Sequence, residues 1–220
     1  MEKPLFPSTY MRITQGYMEG THKDSYAIDN ADKDGGISDI YAPFTGVIKK
    51  IYPNDANEVW LESEDVVEYP DGTKDYMTVM FAHANDTKNL FVGKRIRQKE
   101  AFYKEGTKGN VTGNHCHIEC GKGKFSGNGW HKNNAGYWSI NNGKKPEECF
   151  WLDQTINVLD NHNYKFKKIS TDIVDKNFKT DIEVKAEPST KESNTKIFIA
   201  PKSDLYGVYL KTNQKIIIEN

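Results

Sequence analysis

The first 125 residues consist largely of short apolar, β-branched and aromatic runs separated by turn residues, which is the pattern of β-strands. Clear runs of this kind are residues 46–52 and 58–62. Residues 66–69 and 76–81 flank Pro70-Asp71-Gly72-Thr73, which predicts a hairpin. No long run with helical periodicity interrupts this part of the chain. The pattern therefore predicts a mainly β fold with few short helices.

Residues 121–146 are rich in Gly, Lys and Asn and predict a loop that carries Trp130, Tyr137 and Trp138. Loops beside a rigid sheet often bind ligands, so these aromatic rings either stack on sugar or line a peptide groove. The alternative is that they pack the loop onto the sheet. Next, Pro146 and the two glutamates after it predict one helical turn within residues 146–152, because proline and acidic side chains suit the first turn of a helix.

The chain after residue 165 is predicted to lie outside the main domain of residues 1–165. Residues 166–195 are mostly polar and predict a linker, since such a composition buries little apolar surface. Residues 196–220 contain three short apolar runs and predict a β-rich tail whose role the sequence does not reveal. A segment of this length is below the roughly 40 residues at which chains usually begin to form an independent core.

Composition excludes several classes of protein. The formal net charge of the 220 residues is −1, so no overall field attracts nucleic acid, and no basic patch with interleaved aromatic residues is present. The sequence contains no run of about 18 apolar residues, so it predicts no membrane span. The first residues lack the apolar stretch of a signal peptide. The three cysteines are too few and uneven for a disulfide framework, which predicts reduced core residues.

The most distinctive polar positions are His115, His117 and Glu119, which alternate along a predicted strand. Alternate residues of a strand point to the same face, and two imidazoles on one face of a stiff strand form half of a zinc site. Cys116 is expected to point to the opposite face, towards the core. Taken alone, the pair is equally typical of two surface histidines, because a motif is a hypothesis until its context is found.

The wider context of these residues resembles the lysostaphin-like family of zinc metallopeptidases, which cut the peptide part of bacterial cell walls. The resemblance covers about residues 10–152. It depends on a spaced set of segments: Tyr26-Ala27-Ile28-Asp29, Asp39-Ile40-Tyr41-Ala42-Pro43, Thr45-Gly46-Val47-Ile48, Val79-Met80-Phe81-Ala82-His83, and Thr112-Gly113-Asn114-His115-Cys116-His117-Ile118-Glu119.

The resemblance implies one Zn²⁺ ion per chain, bound by His22, Asp29 and His117. It also implies that His83 and His115 are the catalytic residues, which handle protons and stabilise the oxyanion. The implied fold is mainly β, with antiparallel sheets that form an open substrate groove. The implied activity is hydrolysis of peptide bonds in peptidoglycan. No pair of acidic residues stands out for glycan cleavage, which usually uses two carboxylates.

The chain departs from the family at the first zinc ligand. The usual spacing, with three residues between the first His and Asp, falls on Ser25, and serine is not a zinc ligand. Six residues separate His22 from Asp29, and we expect the extra residues 23–25 to form a bulge that lets His22 reach the metal. The alternative is that Asp24 is the ligand and that His22 is a solvated loop residue.

The expected biological setting follows from the resemblance together with the absence of a signal sequence. Both suit a phage or prophage endolysin, made in the cytoplasm and acting at the bacterial cell wall, with peptidoglycan as its partner. Both also suit a virion tail enzyme with the same fold, or a chain whose signal was removed. A different alternative is a catalytically inactive wall-binding or regulatory module, which an incomplete ligand set would indicate. The oligomeric state is not readable.

Overall fold

A computed structural model describes residues 1–53 and 56–169 of the chain. The predicted tail and residues 170–195 of the predicted linker lie outside the described residues. The described part is mainly β, as the sequence predicts. Its strands are β1 Tyr10–Gln15, β2 Ile28–Asn30, β3 Asp39–Tyr41, β4 Gly46–Tyr52, β5 Glu58–Ser63, β6 Val67–Glu68, β7 Lys74–Asp75, β8 Met77–Ala82, β9 Arg95–Ile96, β10 Ala101–Lys104, β11 Cys116–Lys122, β12 Trp130–Lys132, β13 Trp138–Ile140, β14 Gly143–Lys144, β15 Trp151–Leu152, β16 Asn157–Asp160 and β17 Lys167–Lys168.

Two short helices accompany these strands in the described part of the chain. The α-helix α1 spans Pro146–Cys149 and has proline in its first turn together with two glutamates, so the predicted helical turn is confirmed. A 3₁₀ turn spans Gly20–His22. No helix in the described residues is long and apolar enough to cross a membrane.

One large sheet organises the fold. Its strands lie in the order β16-β1-β2-β11-β8-β5-β4-β9, and β14 pairs with the end of β11. All of its pairs are antiparallel except β1 with β16. In this register His117 lies opposite Asp29 on one side and opposite Ala82 on the other. Residues from three neighbouring strands therefore meet at one point of the sheet.

Strand β11 has one face in the hydrophobic core and one face towards the candidate site. Cys116, Ile118 and Cys120 are almost fully buried among residues such as Phe81, as the strand alternation predicts. All three cysteines of the chain are buried and free, which confirms that they are reduced core residues.

The structure corrects the predicted hairpin. Residues 67–68 pair with residues 74–75 rather than with residues 76–81. Strand β8 instead joins the large sheet between β5 and β11. The turn residues were identified correctly, but every side chain of β8 is buried. A strand buried on both faces gains more by pairing inside the sheet than by closing a local hairpin.

The predicted loop at residues 121–146 also needs correction. It contains an antiparallel pair of short strands, β12 and β13, and then β14, which pairs with β11. The Gly-, Lys- and Asn-rich residues around these strands hide them, because each strand is only two or three residues long. Pairing and packing against the large sheet stabilise them instead of intrinsic propensity.

Candidate metal centre

Three polar side chains converge where β2 and β11 pair. His117 Nδ1 lies 3.0 Å from Asp29 Oδ1, and His22 Nε2 lies 3.3 Å from the same oxygen. The candidate ligand atoms of the three residues all lie within 4.8 Å of one another, close enough to hold a metal ion. Asp24, the alternative first ligand, is exposed and does not belong to this group.

The loop between β1 and β2 brings His22 to this point. The 3₁₀ turn ends at His22, and Asp24 takes a left-handed conformation with φ of 62°, so residues 23–25 form a tight turn. Ser25 N–H donates to the His22 carbonyl at 2.9 Å. His22 is only 3% exposed. The loop therefore turns the imidazole inward instead of leaving it in solvent.

Hydrogen bonds behind each ring determine which imidazole nitrogen faces Asp29. His22 Nδ1 donates to the Gly16 carbonyl at 3.0 Å, because a carbonyl only accepts, and this leaves the Nε2 lone pair towards Asp29. On the other ring, His117 Nε2 lies 3.4 Å from Glu119 Oε1, and Nδ1 is the nitrogen near Asp29. Two imidazole nitrogens and a carboxylate oxygen thus face one another, an arrangement that a cation stabilises.

The electrostatics of the group also favour positive charge. Burial alone would lower the pKa of His117, but hydrogen bonds and charge interactions with Asp29 and Glu119 outweigh it and raise this pKa to about 10. Burial alone would raise the pKa of Asp29, but the neighbouring rings of His117 and His22 hold it well below its usual range. Carboxylates that stabilise a proton in this position also stabilise a metal cation.

The donor set suits zinc. Zinc accepts histidine nitrogens and carboxylate oxygens, and a catalytic site supplies three protein ligands and leaves one position open. His22, Asp29 and His117 provide two nitrogens and one oxygen. Glu119 supports the set from behind, because its other oxygen accepts a hydrogen bond from Ile140 N–H at 2.9 Å, which fixes the carboxylate beside His117.

The two histidines predicted to be catalytic lie beside this group. His115 Nε2 is 3.6 Å from Asp29 Oδ1, and the ring centroids of His83 and His115 are 4.8 Å apart. His83 Nδ1 donates to the Lys108 carbonyl at 2.8 Å and His115 Nδ1 to the Gly113 carbonyl at 2.9 Å. A ring bonded in this way carries its proton on Nδ1 when it is neutral, which leaves Nε2 unprotonated.

His83 has two further features of a functional residue. Burial and the neighbouring histidines lower its pKa to about 4, so its imidazole is neutral near pH 7 and Nε2 can accept a hydrogen bond. Its φ of 83° lies in the left-handed region, which is uncommon for residues other than glycine. Such backbone conformations cluster at active sites.

A groove of about 140 Å³ adjoins the histidines. Its lining residues combine the site with a mostly apolar wall: Ala56, Glu58, Met80, Ala82, His83, His117, Glu119, Trp130 and Trp138. Trp130 stacks on Tyr52 with ring centroids 4.7 Å apart, whereas Trp138 is 58% exposed. Both alternatives for these aromatic residues therefore apply: Trp130 packs onto the sheet, and Trp138 remains available at the groove.

Sequence reasoning missed the residues that hold the His22 loop from outside. Tyr17 N–H donates to the Tyr164 hydroxyl at 3.1 Å, and Tyr164 stands 147 positions later in the chain. Gly16 is the only local signal, since a Cβ there would collide with Tyr164 Oη. The contact depends on the pairing of β1 with β16, which no motif indicates.

No known protein-family profile and no curated protein sequence matches this chain. Solved structures similar to it include the catalytic domain of the antimicrobial peptidase lysostaphin from Staphylococcus simulans, at 18% identity and a TM-score of 0.40, covering 61% of this chain and 86% of that chain. A mutant catalytic domain of the prophage-encoded M23 protein EnpA from Enterococcus faecalis is similar at 19% identity and a TM-score of 0.41. The match covers 56% of this chain and 88% of that chain.

A zinc-containing peptidase from Vibrio cholerae is also similar, at 17% identity and a TM-score of 0.38, over 53% of this chain. The match spans only 37% of that peptidase. These neighbours include the catalytic domain of lysostaphin and one zinc-containing peptidase. Because the likenesses are partial and the identities low, the chemistry proposed for this chain depends on its own site.

Proposed function

We propose that this chain is a zinc-dependent endopeptidase that hydrolyses peptide bonds of bacterial peptidoglycan. The observation that carries the proposal is the convergence of His22, Asp29 and His117, with His83 and His115 beside them. This set of five residues supports the proposal over an inactive wall-binding module, in which ligands or catalytic histidines are lost.

The residues have separable roles in this proposal. A bound zinc ion would supply Lewis-acid chemistry, activating water and polarising the amide carbonyl. His83 and His115 present Nε2 towards the site and exchange protons with the attacking water and the leaving amine. In protonated form each also donates a hydrogen bond to the developing oxyanion. Glu119 holds His117 in the orientation that directs Nδ1 towards Asp29.

Peptide cleavage fits the site better than glycan cleavage does. Glycosidases use two carboxylic groups on either side of the sugar bond, one of which must donate a proton. Glu119 lines the groove, but it is 2% exposed, and its oxygens already contact His117 and Ile140 N–H. It is therefore a supporting residue and not a free acid. An open groove beside a sheet also suits an extended peptide.

The cell wall as the target follows from the sequence motifs that resemble the lysostaphin-like family. Within that setting we propose a phage or prophage endolysin that acts at the wall. A virion-associated enzyme with the same fold is a variant of this proposal, because it would use the same site chemistry.

Metal analysis of purified variants tests the ligand assignment. We expect about one zinc per wild-type chain and loss of most zinc in His22→Ala, Asp29→Ala and His117→Ala, because each variant leaves two ligands where a catalytic site has three. Asp24→Asn, which suits the left-handed turn, is the matched control and should retain its zinc. Full zinc in His22→Ala together with loss in Asp24→Asn would reverse the assignment of the first ligand.

A further inference from the structure

The loop that carries His22 is longer than the usual spacing, and a distant segment holds it in place. Strand β16 runs parallel to β1, with Arg12 opposite Asp160. Because the strands are parallel, the residues that follow them meet at the same edge of the sheet. Gly16 follows β1, and the turn of residues 161–164 follows β16. The turn thereby comes to lie against the beginning of the His22 loop.

The contact centres on one peptide group, between Gly16 and Tyr17. Its carbonyl accepts the hydrogen bond from His22 Nδ1 at 3.0 Å. Its N–H donates to the Tyr164 hydroxyl at 3.1 Å. The carbonyl and the N–H of a trans peptide point in opposite directions, so the hydroxyl on one side determines the direction of the carbonyl on the other.

Three further contacts hold the residues around this peptide group. The rings of Tyr17 and Tyr164 stack with centroids 4.3 Å apart and an interplanar angle of 14°. Gly16 N–H donates to Glu19 Oε1 at 2.5 Å, and the same oxygen lies 3.2 Å from His162 Nε2. A Cβ at Gly16 would collide with Tyr164 Oη, so glycine is what allows this close approach.

The turn that carries Tyr164 is itself well defined. Tyr164 N–H donates to the Asn161 carbonyl at 2.9 Å, and the Asn161 side-chain amide donates back to the Tyr164 carbonyl at 3.0 Å. His162 and Asn163 take left-handed conformations with φ of 52° and 62°, which reverses the chain. The hydroxyl therefore occupies a fixed position relative to β1.

From this geometry we infer that Tyr164 is a positioning residue for the metal centre. Its hydroxyl orients the Gly16–Tyr17 peptide, the Gly16 carbonyl keeps the proton of His22 on Nδ1, and His22 Nε2 is left unprotonated for the metal. The inference rests on the proposed metal centre. It assigns a function to residues 161–164, which lie far from the motifs in sequence.

Zinc affinity of full-length variants, measured by competition with a chromophoric chelator, tests this role. Tyr164→Phe removes the hydroxyl but keeps the stacked ring, and we expect it to weaken zinc binding about tenfold, the lower end of the effect of outer-shell partners. Tyr164→Ala also removes the stacking and should weaken binding further. Tyr10→Phe, a tyrosine on the same strand pair, is the matched control and should bind zinc like the wild type.

Thermal melting of the metal-free proteins separates positioning from a general structural effect. Tyr164→Phe should have a melting temperature close to that of the wild type. A loss of zinc affinity at unchanged melting temperature supports the inference. Equal zinc affinity in Tyr164→Phe and wild type would overturn it, as would a loss of affinity that only parallels a loss of stability. A wild-type chain that binds no zinc would instead overturn the proposed metal centre, and the inference with it.

Discussion

At the scale of single residues, the proposed function gives different roles to histidines of the same type. His22 and His117 are hydrogen-bonded so that one nitrogen faces Asp29. His83 and His115 are bonded to backbone carbonyls and lie next to that group. The distinction between ligands and catalytic residues depends on these partners, because an imidazole is equally suited to both roles.

This distinction predicts that His83→Ala and His115→Ala retain zinc and lose most hydrolysis. General acid–base groups typically contribute about 10²–10⁴-fold to rate, so we expect kcat to fall within that range. Metal content and turnover of a peptide substrate are measured on the same preparations. Loss of zinc in either variant would show that the residue is a ligand.

Glu105 gives a second prediction at this scale. Its side chain is fully buried, and Oε1 has no hydrogen-bond partner among the described residues. Burial raises the pKa of Glu105 to about 7, although a hydrogen bond from Asp32 N–H partly opposes this shift. Between its ordinary pKa of 4.5 and about 7, the folded state keeps a proton that the unfolded state has lost, so stability falls as pH rises through this window.

We therefore expect Glu105→Gln to become more stable than the wild type at pH 8, by about 2–3 kcal/mol, and to match it near pH 4.5. An amide cannot ionise, and its oxygen still accepts the hydrogen bond from Asp32. Urea unfolding at both pH values measures the difference, and the exposed Glu148→Gln is the control. A difference that does not depend on pH would contradict a raised pKa.

At the scale of elements, strand β11 shows what the sequence predicts well. The alternation in residues 115–120 identifies the face of the histidines and the face of the cysteines, because both follow from the period of a strand. The turn residues 70–73 and the helical turn at Pro146 are equally local signals. Asp29 and His117 are named by the resemblance, but their adjacency depends on the pairing of β2 with β11.

The elements that the sequence misses depend on pairing at long range. Strands β12 and β13 have only three residues each, and they are recognisable only through each other and through the packing of Trp130 on Tyr52 and Trp60. The role of Tyr164 depends on the parallel pairing of β1 with β16. Local composition contains no information about such partners, so neither feature is readable from the chain alone.

The predicted boundary at residue 165 leads to a test at the element scale. Lys167–Lys168 pairs with Trp151–Leu152, so a truncated chain should end at residue 169 to keep this contact. We expect a chain of residues 1–169 to have the melting temperature of the full chain and to cleave peptide at the same rate. The candidate site lies entirely within these residues. A chain ending at residue 156 lacks β16 and Tyr164 and should bind zinc more weakly.

Failure of the 1–169 chain to fold would show that the residues after 169 belong to the main domain. Equal zinc affinity in the chain ending at residue 156 would show that the segment from β16 onwards does not support the metal centre. Circular dichroism of each truncated chain confirms folding before affinity is compared.

At the scale of the whole molecule, the large sheet supports the candidate site. Asp29 lies on β2, His117 lies on β11 and His83 directly follows β8, and two loops add His22 and His115. The groove continues from this point along Trp130 and Trp138. The proposed ligands and catalytic histidines thus lie beside a groove, an arrangement that suits the proposed hydrolysis of a polymeric peptide.

The central claim is zinc-dependent cleavage of peptide bonds in peptidoglycan, and digestion of purified cell walls tests it most directly. New amino groups and new reducing ends are measured in parallel, with and without a chelator and after zinc is added back. We predict new amino groups without new reducing ends, loss of this activity with chelator, and recovery with zinc. Reducing ends without new amines, or activity that resists the chelator, would contradict the account.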